Sequence, residues 1–403
     1  MWSDETGEPQ LRAVANRASL LQPLGLVEIL LLARERNAID LASGSASFPE
    51  TIDNLLDYAC TALRSGFNQY DDPAGNAGLR AAAAAIHNAD PDKEITITAG
   101  STEALNVVLQ SLVQPGDEVV VLEPYYEGYP GAIHLTGAVP RYVRLHEPGW
   151  RWDAGELAAA FNERTRAIII NSPHNPTGRV LTRDELTEIF QLCATWNTII
   201  ISDEVYAEFV SRPDEVLLPS RAAGAASRVV TLRSMSKSHA IGGWRIGWIC
   251  AAAPLTRIFR IVHETLTAGV AAPLQVAAAQ ILRERPGWSP AQRAMLEAKR
   301  REIVSVLTDA GLSYRMPEGS PYVLARMPGH WGDSTTFAQY LITEVGVSAA
   351  PGVFFFSRPS EGAELLRFSY NKSDPLIAVA AERIRSLGYT PPDADHSRDA
   401  LAR

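Results

Sequence analysis

A lysine, Lys237, stands among small and hydroxylated residues directly after an apolar run. Val229-Val230-Thr231-Leu232 leads to Ser234-Met235-Ser236-Lys237-Ser238, and Arg245 follows eight residues after the lysine. This pattern predicts a buried strand that delivers a loop to the edge of a sheet. A nearby cation and partial desolvation both favour the neutral amine, which is a nucleophile toward aldehydes. Taken alone, a lysine in this position is more often a solvated surface residue, so its interpretation depends on the residues upstream.

The composition is that of an ordinary soluble protein. At 403 residues the chain is long enough for one large α/β domain and a smaller domain. Apolar residues make up 46% of the chain and charged residues 21%, and the net charge is -9. The acidic balance and the lack of a basic patch argue against a nucleic-acid partner, because phosphate contacts need clustered Lys and Arg.

The N-terminal residues and the cysteines predict the location of the protein and the state of its thiols. Residues Met1 to Thr6 are polar and acidic, so we expect no signal peptide, no spanning helix, no membrane partner and a cytoplasmic location. Cys60, Cys193 and Cys250 are widely spaced. We expect them to be reduced, buried thiols rather than parts of a disulfide framework or a metal site, and we expect no metal in the protein.

From residue 94, short β-branched runs alternate with amphipathic helical patterns. Such continuously apolar strands predict a mostly parallel sheet that is covered on both faces, with ligands at the carboxyl ends of the strands. The predicted strands are 94–98, 119–122, 167–170, 198–201, 229–232 and 247–250. The polar residues that directly follow these runs are Gly100-Ser101-Thr102, Pro124-Tyr125-Tyr126, Asn171 to Pro176, Ser202-Asp203-Glu204 and Ser234 to Lys237. We therefore expect these residues to meet at one edge of the sheet.

Three of these segments carry a resemblance to a known family. Asn175-Pro176-Thr177-Gly178, Asp203-Glu204-Val205-Tyr206 and Ser234-x-Ser236-Lys237 occur in this order, each after a predicted strand. The sequence resembles the pyridoxal-phosphate-dependent aminotransferases of class I/II, the fold-type I group of the aspartate aminotransferase superfamily, from about residue 13 to about residue 388. One such motif would be weak evidence, but several in order make a chance match improbable.

The resemblance implies a fold and a division into domains. The fold would be α/β, with a large, mostly parallel sheet of seven strands and a smaller α+β domain. The large cofactor-binding domain would span residues 49–282. The small domain would combine residues 13–48 with 283–390, and residues 391–403 would form a polar tail.

The resemblance also implies how the chain would bind pyridoxal 5'-phosphate. Lys237 would hold the aldehyde as a Schiff base and move the substrate α-proton. Asp203 would face the pyridine nitrogen and keep it protonated, although a helix cap is the alternative for an isolated Asp at a strand end. Asn175 and Tyr206 would hydrogen-bond the phenolic oxygen of the cofactor. Tyr126 would stack on the ring, with a core aromatic as its alternative.

The phosphate and the substrate would use a second group of residues. The N-terminus of the helix that opens with Gly100-Ser101-Thr102 would bind the phosphate. Further phosphate contacts are implied for Ser234, Ser236, Arg245 and, from the neighbouring subunit of a homodimer, Tyr70. Arg367 would clamp the substrate α-carboxylate in a bidentate pair, beside the backbone of Gly44 and Asn175.

The chain departs from the family pattern after Gly44. The usual Gly-x-Pro-Asp-Phe run is replaced by Gly44-Ser45-Ala46-Ser47-Phe48, which lacks the proline and the acid. That loop lines the substrate entrance in the family. The departure bears on the substrate more than on the cofactor.

The leading interpretation is an aminotransferase of amino acid metabolism that moves an amino group from an L-amino acid to a 2-oxo acid. A carbon-sulfur β-lyase or a decarboxylating enzyme remains an alternative, because the same lysine, electron sink and clamp serve those reactions. A transcription regulator on this fold would need a basic DNA-binding domain, and the sequence contains none. The aromatic content near Tyr125, Tyr126, Tyr322, Phe354 and Phe355 favours an aromatic or large neutral substrate over aspartate.

Overall fold

A computed structural model describes residues 15–21, 23–50, 53–210, 212–222 and 227–387. The predicted polar tail, and the start of the small domain at residues 13 and 14, lie outside these ranges. The strands are β1 Ile39–Asp40, β2 Ile95–Thr98, β3 Glu118–Glu123, β4 Val139–Arg144, β5 Thr165–Asn171, β6 Ile199–Asp203, β7 Val229–Ser234, β8 Gly247–Cys250, β9 Ser313–Tyr314, β10 Tyr322–Arg326, β11 Val347–Ser348, β12 Ala350–Pro351 and β13 Leu365–Ser369.

Fourteen α-helices are present in the described ranges. They are α1 Asn16–Ser19, α2 Leu26–Glu35, α3 Asp53–Arg64, α4 Ala77–His87, α5 Gly100–Leu112, α6 Gly128–Leu135, α7 Ala154–Ala159, α8 Arg183–Thr195, α9 Met235–Ser238, α10 Ala253–Thr267, α11 Ala272–Glu284, α12 Pro290–Asp309, α13 Ser334–Tyr340 and α14 Asp374–Arg385. Side-chain caps fix several of their starts. Thr182 and Glu185 form a capping box at the start of α8, and Ser289 and Gln292 form one at the start of α12.

The large sheet has seven strands in the order β2-β8-β7-β6-β5-β3-β4. All neighbouring pairs are parallel except those of β8, which runs antiparallel to both β2 and β7. Side chains alternate between two hydrophobic clusters along β5: Ile168 and Ile170 pack into one, and Ala167 and Ile169 into the other. Both faces of the sheet are therefore buried, as the apolar runs predict, and the α/β architecture is confirmed.

A second sheet lies in the C-terminal part of the chain. Its four strands are antiparallel, in the order β12-β13-β10-β9, and α12 packs against α14 nearby. The short strand β1 pairs in parallel with β11. This pairing joins residues before the large sheet to residues after it, and it supports the predicted composition of the small domain, whose boundaries stay a prediction.

The structure differs from the sequence-based expectations at three places. Strand β4 is absent from the prediction, since it lies at the edge of the sheet and its side chains are mostly half-exposed rather than apolar. Lys237 lies in the short helix α9 rather than in a loop. Cys60 is exposed, so the expectation that all three thiols are buried is wrong. Within the described ranges, no helix is long and apolar enough to cross a membrane.

Candidate active site

A cavity of about 490 Å³ opens at the carboxyl ends of β5, β6 and β7. It collects residues that the sequence disperses over more than three hundred positions. Among the residues predicted to act, those that line it are Gly44, Ser101, Thr102, Tyr126, Asn175, Asp203, Tyr206, Ser234, Ser236, Lys237, Arg245 and Arg367. Gly100 begins the helix that carries Ser101 and Thr102 but is not itself in the wall.

Lys237 projects into this cavity from α9, directly after β7. Its Nζ atom donates a hydrogen bond to the backbone oxygen of Gly44 over 2.8 Å. A side chain on residue 44 would collide with the Tyr322 hydroxyl and would come within 3.1 Å of Nζ, so this approach requires glycine. Burial, together with the charges of Arg367 and Lys372, lowers the pKa of Lys237 to about 8. The neutral amine is therefore far more populated near physiological pH than in an ordinary lysine, although the protonated form still predominates.

Asp203, at the end of β6, is a buried residue of the cavity wall. Its Oδ2 atom accepts a hydrogen bond from the hydroxyl of Tyr129 over 2.8 Å, and its Oδ1 atom accepts one from the amide of Val205 over 3.3 Å. Burial raises the pKa of Asp203 to about 6, against the effect of these two donors. The carboxylate is thus ionised at neutral pH and can stabilise a buried cation.

Asn175 and Tyr206 are positioned by contacts inside the protein. The backbone amide of Asn175 donates a hydrogen bond to the side-chain Oδ1 atom of Asn171 over 2.7 Å, which fixes the loop after β5. The hydroxyls of Tyr206 and Tyr322 lie 3.1 Å apart, and both rings are buried. Burial raises the pKa of Tyr206 well above its ordinary value, so this phenol stays protonated and can donate a hydrogen bond.

Arg367 reaches the cavity from β13 of the second sheet and is 3% exposed. Its Nη1 atom donates to Oδ1 of Asn175 over 2.8 Å, and its Nη2 atom donates to the backbone oxygen of Ala42 over 2.7 Å. The guanidinium also lies over the Tyr322 ring, 4.4 Å from its centroid. These contacts hold a planar cation at the cavity wall, where it can pair with a carboxylate.

The opposite end of the cavity presents hydroxyls, free amides and a cation. Helix α5 begins there, and its N-cap residue provides no side-chain cap, so the first amides of the helix are free to bind an anion. Ser234 Oγ lies 2.9 Å from Ser236 Oγ. Arg245 donates to the backbone oxygens of Gly242 and Ala99 and, in the described part of the chain, forms no ion pair. Gly100 has a φ of +79°, and a side chain there would collide with the Arg245 guanidinium.

These groups fit pyridoxal phosphate at each of its three reactive features. An amine with a lowered pKa suits the aldehyde, an ionised buried carboxylate suits a protonated ring nitrogen, and the start of α5 with Arg245 suits a phosphate dianion. The observation that decides the fit is the clearance around Gly100, because it lets the Arg245 guanidinium approach the start of α5 closely.

One predicted residue lies away from the cavity. Tyr70 is 89% exposed and is not part of the wall. The wall also contains Glu127 and Tyr129, which the sequence did not indicate, and Tyr322, which was noted only among the aromatic residues that favour a large substrate. Tyr129 comes three residues after Tyr126, a spacing that puts two side chains near each other at the start of a helix, and this signal could have identified it.

Comparisons with known proteins identify the family of the chain. The chain matches the aminotransferase class I and II family over residues 35–384. It is 34% identical to the probable N-succinyldiaminopimelate aminotransferase of Mycobacterium tuberculosis, covering 90% of this chain and 96% of that protein. It is 33% identical to the methionine aminotransferase of Escherichia coli, covering 88% of this chain and 94% of that protein. The solved N-succinyldiaminopimelate aminotransferase structure from M. tuberculosis superposes with a TM-score of 0.88 and 34% identity, covering 93% of this chain and all of that chain.

Proposed function

The chain belongs to the class I and II aminotransferases and is a pyridoxal-phosphate-dependent transferase, and we propose that the cavity around Lys237 is its active site. The observation that carries this proposal is the convergence of three chemically distinct groups on one cavity. Lys237, Asp203 and Arg367 come from α9, β6 and β13, and all three line the same cavity; Asp203 and Arg367 are buried, and Lys237 is half-buried.

We assign the cofactor-binding roles as follows. Lys237 binds the cofactor aldehyde, and Asp203 pairs with the ring nitrogen. Asn175 and Tyr206 contact the phenolic oxygen, and Tyr126 covers the ring. The phosphate contacts come from Gly100, Ser101, Thr102, Ser234, Ser236 and Arg245. When bound, pyridoxal phosphate supplies a carbonyl that takes up the amino group and a ring that withdraws electrons from Cα.

The proton on Cα is moved by Lys237. Its pKa near 8 leaves the amine able both to accept a proton and to return it at physiological pH. Arg367 orients the substrate by pairing with the α-carboxylate, next to Asn175 and the backbone of Gly44. This pairing fixes which bond on Cα is placed for cleavage, so Arg367 contributes to the choice of reaction as well as to binding.

The two relatives carry different substrates in their names, N-succinyldiaminopimelate and methionine. For this chain we propose a large or aromatic neutral amino acid rather than aspartate. In the described wall of the cavity, the cations are Lys237, Arg245 and Arg367, and all three already have roles. A second carboxylate on the substrate would therefore find no free cation in the described wall of its own subunit.

We also propose that the enzyme works as a homodimer with shared sites. Tyr70 matches the tyrosine that reaches the phosphate of the neighbouring subunit in the family. In a single chain it is almost fully exposed, which suits a side chain that is covered only by a partner.

The lyase and decarboxylase alternatives find no support among the relatives named above, all of which are aminotransferases. The test is incubation of the holoenzyme with single amino acids while the cofactor absorbance is recorded. We expect one half-reaction with an amino acid alone, and continuous turnover only after a 2-oxo acid is added. Continuous release of ammonia, pyruvate or carbon dioxide without a 2-oxo acid would contradict the proposal.

A further inference from the structure

Two tyrosine hydroxyls form a pair at the wall of the cavity. Tyr206 follows β6 of the large sheet, and Tyr322 begins β10 of the second sheet. Their hydroxyl oxygens lie 3.1 Å apart, and in the described part of the chain each hydroxyl has the other as its only hydrogen-bond partner. Both residues line the cavity. The pair is therefore a polar link between the two sheets at the site itself.

The hydroxyl of Tyr322 lies close to the amine of Lys237. A Cβ atom on Gly44 would collide with this hydroxyl and would come within 3.1 Å of Lys237 Nζ, so the two groups approach the same point beside the Gly44 backbone. Other contacts hold the Tyr322 ring. It packs edge-on against the Tyr206 ring, with the centroids 5.5 Å apart, and the Arg367 guanidinium lies 4.4 Å from its centroid. A phenylalanine ring would make both contacts, so packing alone does not require the hydroxyl.

The pair has two protons, and only one of them is used between its members. A hydroxyl donates one hydrogen bond and can accept two. If Tyr206 donates to the phenolic oxygen of the cofactor, as in the proposed function, the hydrogen bond between the two tyrosines must be donated by Tyr322. Burial raises the pKa of Tyr322, and the charge of Arg367 acts against this rise. A cation beside a phenol strengthens its hydroxyl as a donor, which favours this direction.

We propose that Tyr322 is a positioning residue for the cofactor: its hydroxyl donates to Tyr206, so that the Tyr206 proton is directed at the phenolic oxygen and becomes a stronger donor there. Hydrogen bonds in such a chain strengthen one another, by roughly 10–30% per bond. Tyr322 acts through Tyr206 and needs no contact with the cofactor. This inference rests on the proposed function, because it takes Tyr206 as the partner of the phenolic oxygen.

The absorbance of the bound cofactor provides the first test. A donor at the phenolic oxygen offsets part of its negative charge, and that charge favours a proton on the Nζ atom of Lys237 that holds the cofactor. Loss of the donor should therefore raise the pH midpoint of the absorbance change. We expect a rise of roughly one unit or more in Tyr206→Phe and of roughly 0.3 to 1 unit in Tyr322→Phe.

Tyr322→Phe is a conservative change for this purpose. It keeps the ring and alters no charge near the pair: Arg367, Asp40 and Glu127 remain around residue 322, and Asp203 remains beside Tyr206. A shift of the midpoint in this variant therefore reports the lost hydroxyl and not a changed charge.

The double variant shows whether Tyr322 acts through Tyr206. In the Tyr206→Phe background, Tyr322→Phe should cause no further rise of the midpoint. The dissociation constant of pyridoxal phosphate, measured by titration of the apoprotein, should follow the same pattern. It should increase severalfold in each single variant and be no higher in the double variant than in Tyr206→Phe. An effect of Tyr322→Phe that is equally large in both backgrounds would overturn the inference.

Tyr370 provides a matched control. It is another buried tyrosine, and its hydroxyl donates to the backbone oxygen of Ser320 over 2.6 Å, outside the cavity wall. Tyr370→Phe should lower the temperature of thermal unfolding, because a buried hydrogen bond is lost, but it should leave the midpoint unchanged. A midpoint that moves as far in Tyr370→Phe as in Tyr322→Phe would show that loosened packing causes the shift, and the inference would be wrong.

The outcomes separate this inference from the proposed function. If Tyr206→Phe raises the midpoint and Tyr322→Phe does not, the inference is wrong and the proposed function stands. If neither variant moves the midpoint, the assignment of Tyr206 to the phenolic oxygen fails, and the inference fails with it. If the unaltered protein binds no pyridoxal phosphate, the proposed function fails as a whole and takes the inference with it.

Discussion

The hydroxyl of Tyr129 donates a hydrogen bond to Oδ2 of Asp203, 2.8 Å away, and both side chains are buried. Burial alone raises the pKa of a carboxyl group, and that of Asp203 is raised to about 6. The tyrosine acts against this rise, because its hydrogen bond favours the ionised form. Tyr129 thus helps to keep Asp203 negatively charged at neutral pH, which a protonated pyridine nitrogen requires.

Replacement of Tyr129 by Phe should weaken cofactor binding in a pH-dependent way. Loss of the donor should raise the pKa of Asp203 by about one to two units, so that part of the carboxyl is protonated at neutral pH. The dissociation constant of pyridoxal phosphate should then increase near pH 7 and recover toward its wild-type value at about pH 9. Tyr125→Phe removes a neighbouring hydroxyl that is not in the cavity wall and should have little effect. An equal loss of affinity at every pH would contradict this role for Tyr129.

The lowered pKa of Lys237 predicts how the apoprotein takes up its cofactor. Only the neutral amine is nucleophilic, and with a pKa of about 8 it is formed more than two pH units below the ordinary range of lysine. The rate of covalent reaction with pyridoxal phosphate should therefore rise with pH and level off above about pH 8. Division by the rate with Nα-acetyl-lysine, first corrected for the neutral fraction of that amine at each pH, removes the titration of the reagent itself. A midpoint near the ordinary lysine pKa would show that burial and the charges of Arg367 and Lys372 do not lower the pKa of Lys237.

Replacement of Arg367 by Lys tests the carboxylate clamp. Lysine keeps the charge but loses the fork that is held between Asn175 Oδ1 and the oxygen of Ala42. We expect kcat/KM to fall by the equivalent of roughly 2 to 4 kcal/mol, alike for all amino-acid substrates. Side reactions should increase relative to transamination, because the orientation of Cα is loosened. A loss confined to one substrate would place Arg367 at the side chain instead.

Mixing two defective variants tests whether the sites are shared between subunits. If Tyr70 serves the partner's site, a hybrid of Lys237→Ala and Tyr70→Phe chains has one site with both defects and one with neither. Activity should therefore rise above that of both parents after subunit exchange. Activity that stays at the parental level, with exchange confirmed by mass spectrometry of tagged chains, would count against sharing.

Most of the large sheet was predictable because its central strands are buried on both faces and read as continuous apolar runs. The edge strand Val139–Arg144 was not, since only one neighbour covers it and polar side chains alternate along it. The short helix around Lys237 was also missed. This helix has only four residues after its capping residue, Ser234. Four residues are too few to show a helical period in the sequence.

The convergence of the residues proposed to bind the cofactor was predictable, because they directly follow strands whose carboxyl ends meet at one edge of the sheet. Residues brought in by tertiary folding gave weaker signals. Tyr322 lies 116 residues from Tyr206, its hydroxyl partner, and no local pattern connects the two. Glu127 reads as an ordinary surface acid, and only its place in the cavity wall distinguishes it.

Chemical trapping of the cofactor tests the central assignment most directly. Borohydride reduction of the yellow holoenzyme, followed by proteolysis and mass spectrometry, should find the cofactor on the peptide that contains Lys237 and on no other. The informative comparison is Lys372, a buried lysine whose Nζ atom donates to the backbone oxygens of Ser43 and Ser45, on either side of Gly44. Cofactor attached to Lys372, or to any lysine other than Lys237, would contradict the account.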